Sequence, residues 1–124
     1  MDNKPMILVV DDERDFTVTV RDRLEASGFE TCVAHEGIRA LEMAHKKKPD
    51  LIILDIRMPA GDGLTVLKTL REKEETRKIP VVILTGLDEE GLEEKVKKLG
   101  AALFLRKPFD LGSLVSRVST LLPE

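Results

Sequence analysis

The stretch Met6-Ile7-Leu8-Val9-Val10-Asp11-Asp12-Glu13 sets five apolar residues directly against three acids. A short run that is apolar at every position suits a strand buried on both faces, the condition of a parallel sheet covered by helices. Similar runs recur at Phe29–Ala34, Leu51–Leu54, Val81–Leu84 and Ala102–Leu105. Helical spacing fills the gaps: Phe16, Val20 and Leu24, closed by Gly28; Ile38 and Leu41, ending before Pro49; Leu64, Leu67 and Leu70; Leu92, Val96 and Leu99, stopping at Gly100; and Leu111, Leu114, Val115, Val118 and Leu122. The reading is strand then helix, five times over, with short connections, which is an α/β domain with a parallel sheet. The run Phe29–Ala34 is the least uniformly apolar and suits an edge of that sheet.

Composition narrows the function. The 124 residues carry 20 basic and 23 acidic side chains, a net charge of −3, and 42% hydrophobic content. Such a chain buries enough surface for one core, and it is too apolar for disorder. The single cysteine, Cys32, can form neither an internal disulfide nor a Cys-based zinc site. The mild acidity, with four Phe, no Trp and no Tyr, argues against a nucleic-acid surface. The longest charge-free stretch, Ile79 to Leu87, is far short of the ~20 apolar residues of a membrane span, and Met1 to Pro5 is no signal peptide. A cytoplasmic location is expected.

The polar residues gather where a sheet of this type binds its ligands, just beyond the carboxyl ends of the strands. Strand 1 runs into Asp11-Asp12-Glu13, strand 3 into Asp55, strand 4 into Thr85-Gly86 and strand 5 into Arg106-Lys107-Pro108; strand 2 offers only His35. Taken alone, Asp11 or Asp12 reads equally well as a helix N-cap, and capping is the preferred reading of Asp88 and Asp110. Asp55 resists it, because Ile56 and Arg57 lead to Met58-Pro59 and no helix begins there. Carboxylates converging on one crevice repel unless a cation joins them. With only oxygen donors on offer, a hard divalent ion, Mg²⁺, is expected, and Lys107 with Thr85 would then face a phosphoryl group on Asp55.

Together these residues resemble the receiver domains of bacterial two-component response regulators. The likeness rests on Asp11-Asp12, on Asp55 within Leu-Asp-Ile-Arg-Met-Pro-Ala-Gly-Asp-Gly, on Thr85-Gly86 and on Lys107-Pro108-Phe109, in that order along essentially the whole chain. It implies a doubly wound, flavodoxin-like (βα)5 domain over 1–124 with strand order 2-1-3-4-5. It also implies a phosphorelay function: Asp55 as phosphoacceptor, Asp11, Asp12, Asp55 and the Arg57 backbone carbonyl as the Mg²⁺ ligands, and Lys107 and Thr85 on the phosphoryl oxygens. Gly86 would leave the phosphate accessible, the Lys107-Pro108 bond would be cis, and Phe104 would be the switch aromatic, though by itself it reads as a core residue. Arg57 and Leu87 would flank the path of attacking water.

The implied partners are a sensor histidine kinase or histidine phosphotransfer protein, and a downstream protein or separate effector domain met through helix 4, strand 5 and helix 5. The chain would act as a signalling protein rather than an enzyme. Gly100-Ala101 is followed by Ala102-Leu103, where members that dimerise for DNA binding usually carry an acidic pair. A pseudo-receiver that keeps the fold without phosphate control is the alternative; it usually lacks one of the acids or the lysine, all present here. A flavodoxin would need a phosphate-cradling loop in place of the three acids, and a haloacid-dehalogenase-type phosphatase a second Asp where Arg57 stands.

Overall fold

A computed structural model describes residues 4–57 and 63–122. The elements alternate strictly: β1 (Met6–Val10), α1 (Arg14–Ala26), β2 (Glu30–Ala34), α2 (Gly37–Lys47), β3 (Leu51–Leu54), α3 (Gly63–Glu72), β4 (Val81–Thr85), α4 (Leu92–Lys98), β5 (Leu103–Arg106) and α5 (Leu111–Leu121). All pairings are parallel, in the order β2-β1-β3-β4-β5. This is the flavodoxin-like arrangement, with β2 at an edge.

Side chains alternate across a strand, so each apolar strand feeds two cores. Ile7, Val9, Leu51, Ile53, Val82 and Leu84 meet Val20 and Leu24 of α1 and Leu114 and Val118 of α5. Leu8, Val10, Ile52, Leu54, Val81 and Ile83 meet α2, α3 and α4 on the other face. Burial on both faces is why the strands read as continuous runs.

Boundaries moved where backbone bonding decided them. Phe29 lies outside β2 because its N–H bonds to the Leu24 carbonyl and finishes α1. At the other end, β4 continues to Thr85, which pairs with Arg106, and β5 is shifted to Leu103–Arg106. Ile38 does not face the core as its spacing suggested; it is 70% exposed, because α2 buries Gly37, Ala40, Met43 and Ala44 instead. Nor does Asp88 cap α4, whose N-cap is Gly91 in the left-handed region at φ 81°, without a side-chain bond. Asp110 does cap α5, accepting the Ser113 N–H at 2.9 Å.

At the amino ends of the strands, Arg71 joins three segments. Its guanidinium donates to the carbonyls of Gly100 (3.1 Å), Arg77 (2.9 Å), Ile79 (2.8 Å) and, more weakly, Thr76 (3.4 Å). Thr76, buried beside it, donates to the Leu70 carbonyl at 2.7 Å. One planar cation thus ties carbonyls of the loop after α3 to the Gly100 carbonyl after α4.

Candidate functional site

The strand ladders extend one residue past the strands, and this places the polar groups. Asp11 N–H donates to the Ala34 carbonyl (3.1 Å), Asp55 N–H to the Val10 carbonyl (3.0 Å), and Lys107 N–H to the Thr85 carbonyl (2.8 Å). Each residue is therefore held by sheet bonding while its side chain turns into the crevice. His35 adds a tie from the edge strand: its Nδ1 lies 2.9 Å from the Asp11 carbonyl oxygen, so that nitrogen carries the proton and donates.

Asp11, Asp12 and Asp55 each offer a carboxylate oxygen within 4.8 Å of the others, with Asp11 and Asp55 buried and Asp12 exposed. Neither Asp11 nor Asp12 caps α1. The N-cap is Glu13, without a side-chain bond, and Asp11 Oδ1 accepts the Glu13 N–H at 2.9 Å. Asp55 does the same two residues on, accepting the Arg57 N–H at 2.9 Å through Oδ1. In both acids one oxygen is thus fixed by the following turn, and Oδ2 faces the crevice.

Lys107 spans the gap. Its ammonium donates to Asp11 Oδ2 at 2.6 Å, Asp55 Oδ2 at 3.2 Å and Glu13 Oε1 at 3.2 Å, and lies 4.0 Å from the centroid of the Phe16 ring. Burial pushes the Asp11 carboxyl up to about 6, with the Asp55 charge adding to the rise, against the hydrogen bonds from Lys107 and the Glu13 N–H. Burial pulls the Lys107 ammonium down, but the bonds and charges of Asp11 and Asp55 outweigh it and hold it above its ordinary value. The crevice is short of positive charge, which is the electrostatic setting for a cation.

The start of α3 comes close to Ile56, directly after Asp55. Gly63 N–H donates to the Ile56 carbonyl at 2.9 Å, and a Cβ on Gly63 would sit 2.5 Å from Ile56 Cα and 2.6 Å from the Asp55 carbonyl oxygen. Only glycine fits there. Met58-Pro59, read as the reason no helix starts after Asp55, lie outside the described residues.

Across the crevice Thr85 is fully buried, and its Oγ1 accepts the Leu87 N–H at 3.3 Å. Open space surrounds Gly86, where a Cβ would meet nothing within 4 Å. Arg57 is exposed, and Leu87 packs against the core beneath α2, α3 and α4. Phe104 is half-buried against the same core, with the Arg106 guanidinium 5.9 Å from its ring centroid. Arg106 in turn pairs with Asp88, which accounts for that acid without a helix cap. The Lys107-Pro108 bond is cis.

A family model for the response regulator receiver domain matches residues 7–119. The chain belongs to that family. The receiver is 35% identical over 121 residues to the polar-differentiation response regulator DivK of Brucella ovis, covering 98% of both chains. Among solved structures it resembles the chemotaxis protein CheY4 of Vibrio cholerae, with a TM-score of 0.90 and 29% identity over 97% of this chain and 100% of that one. The receiver domain of Francisella response regulator 1452 is similar too, with a TM-score of 0.87 and 34% identity over 95% and 96% of the two chains. The receiver is thus a component of two-component signalling, and among its described residues no helix is long and apolar enough to cross a membrane.

Three contributors are not marked by the sequence pattern. Glu13 reads as a third acid after strand 1 and Phe16 as a core position of α1, yet both contact Lys107. Gly63 stands at the end of the motif around Asp55. Its signal, a glycine at the first position of a helix, has no steric meaning until the loop it touches is placed.

Proposed function

We propose that this receiver, taken as one domain over 1–124, accepts a phosphoryl group on Asp55 from the phosphohistidine of a sensor kinase or phosphotransfer protein, in a Mg²⁺-dependent reaction. The observation that carries the reading is the Lys107 ammonium bridging Asp11 and Asp55 in a crevice built from four strand ends. The donor set suits a hard divalent cation: three carboxylates, each offering an oxygen within reach of the others. Asp11, Asp12, Asp55 and the Arg57 carbonyl would hold Mg²⁺. When bound, the ion neutralises carboxylate charge and offsets charge on the transferring oxygens.

The chain's own groups do the rest. Asp55 presents one oxygen, Oδ2, as the nucleophile, while Oδ1 is held by the Arg57 N–H. That oxygen forms a bond to phosphorus as the bond from phosphorus to the donor imidazole breaks, the electron pair leaving with the nitrogen. Lys107 moves from Asp55 onto a phosphoryl oxygen, and Thr85 turns its hydroxyl hydrogen onto another. Open space at Gly86 leaves room for the group to enter. Positioning and charge compensation are what this transfer needs.

The signal leaves through α4, β5 and α5. Movement of Thr85 toward the phosphoryl group frees space that the Phe104 ring takes up, and it draws the β4–α4 loop, Asp88 included, away from Arg106. Arg57 and Leu87 border the approach of hydrolytic water. Downstream proteins or a separate effector domain read the altered face, in the cytoplasm, and the chain acts as a signal carrier rather than an enzyme on other substrates.

Incubation with Mg²⁺ and a small acyl phosphate, followed by intact mass measurement, tests the reading. A gain of one phosphoryl group that disappears with chelator supports it. No gain, together with no Mg²⁺ binding, would leave a pseudo-receiver.

A further inference from the structure

Lys107 has three N–H donors, and the structure gives them three carboxylates: Asp11, Asp55 and Glu13. Asp11 and Asp55 are nearly inaccessible, at 2% and 6% side-chain exposure, whereas Glu13 is 61% exposed at the rim. The three therefore differ in what they do when the crevice fills. Asp11 and Asp55 become engaged with cation and phosphoryl group. Glu13 belongs to neither set, and Lys107 is the group its carboxylate bonds.

Its place is set by the fold. Glu13 is the N-cap of α1, with its N–H on Asp11 Oδ1, so its side chain leaves the backbone directly beside the crevice. One turn further on, Phe16 puts its ring against the same ammonium at 4.0 Å. The first turn of α1 thus forms a seat for Lys107, with an anion on one side and an aromatic face on the other.

We propose that Glu13 is a positioning residue that holds the Lys107 ammonium on the α1 side of the crevice, in competition with the phosphoryl group on Asp55. The inference rests on the phosphoacceptor reading and adds a residue to it. A phosphoryl group gains Lys107 only by drawing it off this seat, so Glu13 lowers the occupancy of the phosphorylated form. Its carboxylate acts through Lys107, and its effect must vanish when the ammonium is absent.

The test is a double-mutant cycle read by binding of a phosphoryl analogue, beryllium trifluoride, at saturating Mg²⁺, followed by NMR. Glu13→Gln should tighten half-saturation roughly 2- to 5-fold, the range of an exposed ion pair. Glu13→Asp, which keeps the charge but shortens its reach, should fall between the two. In a Lys107→Met background, which keeps the apolar stem over Phe16, Glu13→Gln should change nothing. An unchanged midpoint in Glu13→Gln overturns the proposal, as does an equal tightening with Lys107→Met, which would make Glu13 a general charge at the rim. Failure of the unmodified protein to bind the analogue, or to take a phosphoryl group from acyl phosphate, would overturn the phosphoacceptor reading itself and the proposal with it.

Discussion

Two cations stand at opposite ends of the sheet and are held in opposite ways. Arg71, at the amino ends of the strands, donates only to backbone carbonyls of Thr76, Arg77, Ile79 and Gly100. The Lys107 ammonium, at the carboxyl ends, donates among the described residues to the carboxylates of Asp11, Glu13 and Asp55. Neutral carbonyls fixed in the backbone cannot be drawn off by an ion or a phosphate. Carboxylates can, and a lysine ammonium on a flexible stem can follow a new partner, whereas a planar guanidinium locked in a fork cannot. On the proposed function, one end of the molecule is built to stay and the other to exchange partners.

Exchanging the two properties should separate activity from stability. Lys107→Ala should cut phosphoryl capture from acyl phosphate by roughly 100-fold, the scale of losing one charge-stabilising donor, with little change in the urea midpoint. Arg71→Ala should do the reverse, lowering unfolding free energy by about 2–4 kcal/mol as several carbonyls lose a charged donor, while capture per folded molecule is kept. Arg71→Ala that abolished capture in well-folded protein would break the contrast.

A smaller effect is expected at the carboxyl end, where the start of α3 meets Asp55 and Ile56. Gly63→Ala pushes a Cβ into Ile56 and the Asp55 carbonyl and should cost about 1–3 kcal/mol by overpacking. Amide shifts of Asp55 and Ile56 should move in the same variant. Urea melts and NMR check both.

A further effect is on pH. Burial raises the Asp11 carboxyl from 3.8 to about 6, so between those values the native state keeps a proton that the unfolded chain has lost. Protons bound in excess by the native state make stability fall as pH rises. In chelator, unfolding free energy should therefore decline from near pH 4 to near pH 6 and level off above. Arg71 adds nothing in that window, so Arg71→Ala should leave the slope unchanged.

The sheet was legible because its strands are apolar on both faces, a pattern that a half-buried strand does not produce. The acids and the lysine were legible because each directly follows such a run, and the sheet brings strand ends together. What was not legible depends on contact between distant segments. Nothing in the sequence marks Arg71, whose partners lie up to 29 residues away. Asp88 preceded a helical pattern, yet Arg106 across β4 and β5 took its carboxylate. Ile38 fitted a helical period, but α2 packs through Gly37, Ala40, Met43 and Ala44, which leaves it outward.

The central claim is that Asp55 is the acceptor, and borohydride reduction of the phosphorylated protein tests it most directly. Borohydride reduces an acyl phosphate at the residue that carries it, and peptide fragmentation then reads the position. The account predicts the mark on Asp55 alone, absent when Mg²⁺ is chelated and absent in Asp55→Asn. A mark on Asp11, Asp12 or Glu13, or full phosphorylation of Asp55→Asn, would contradict it.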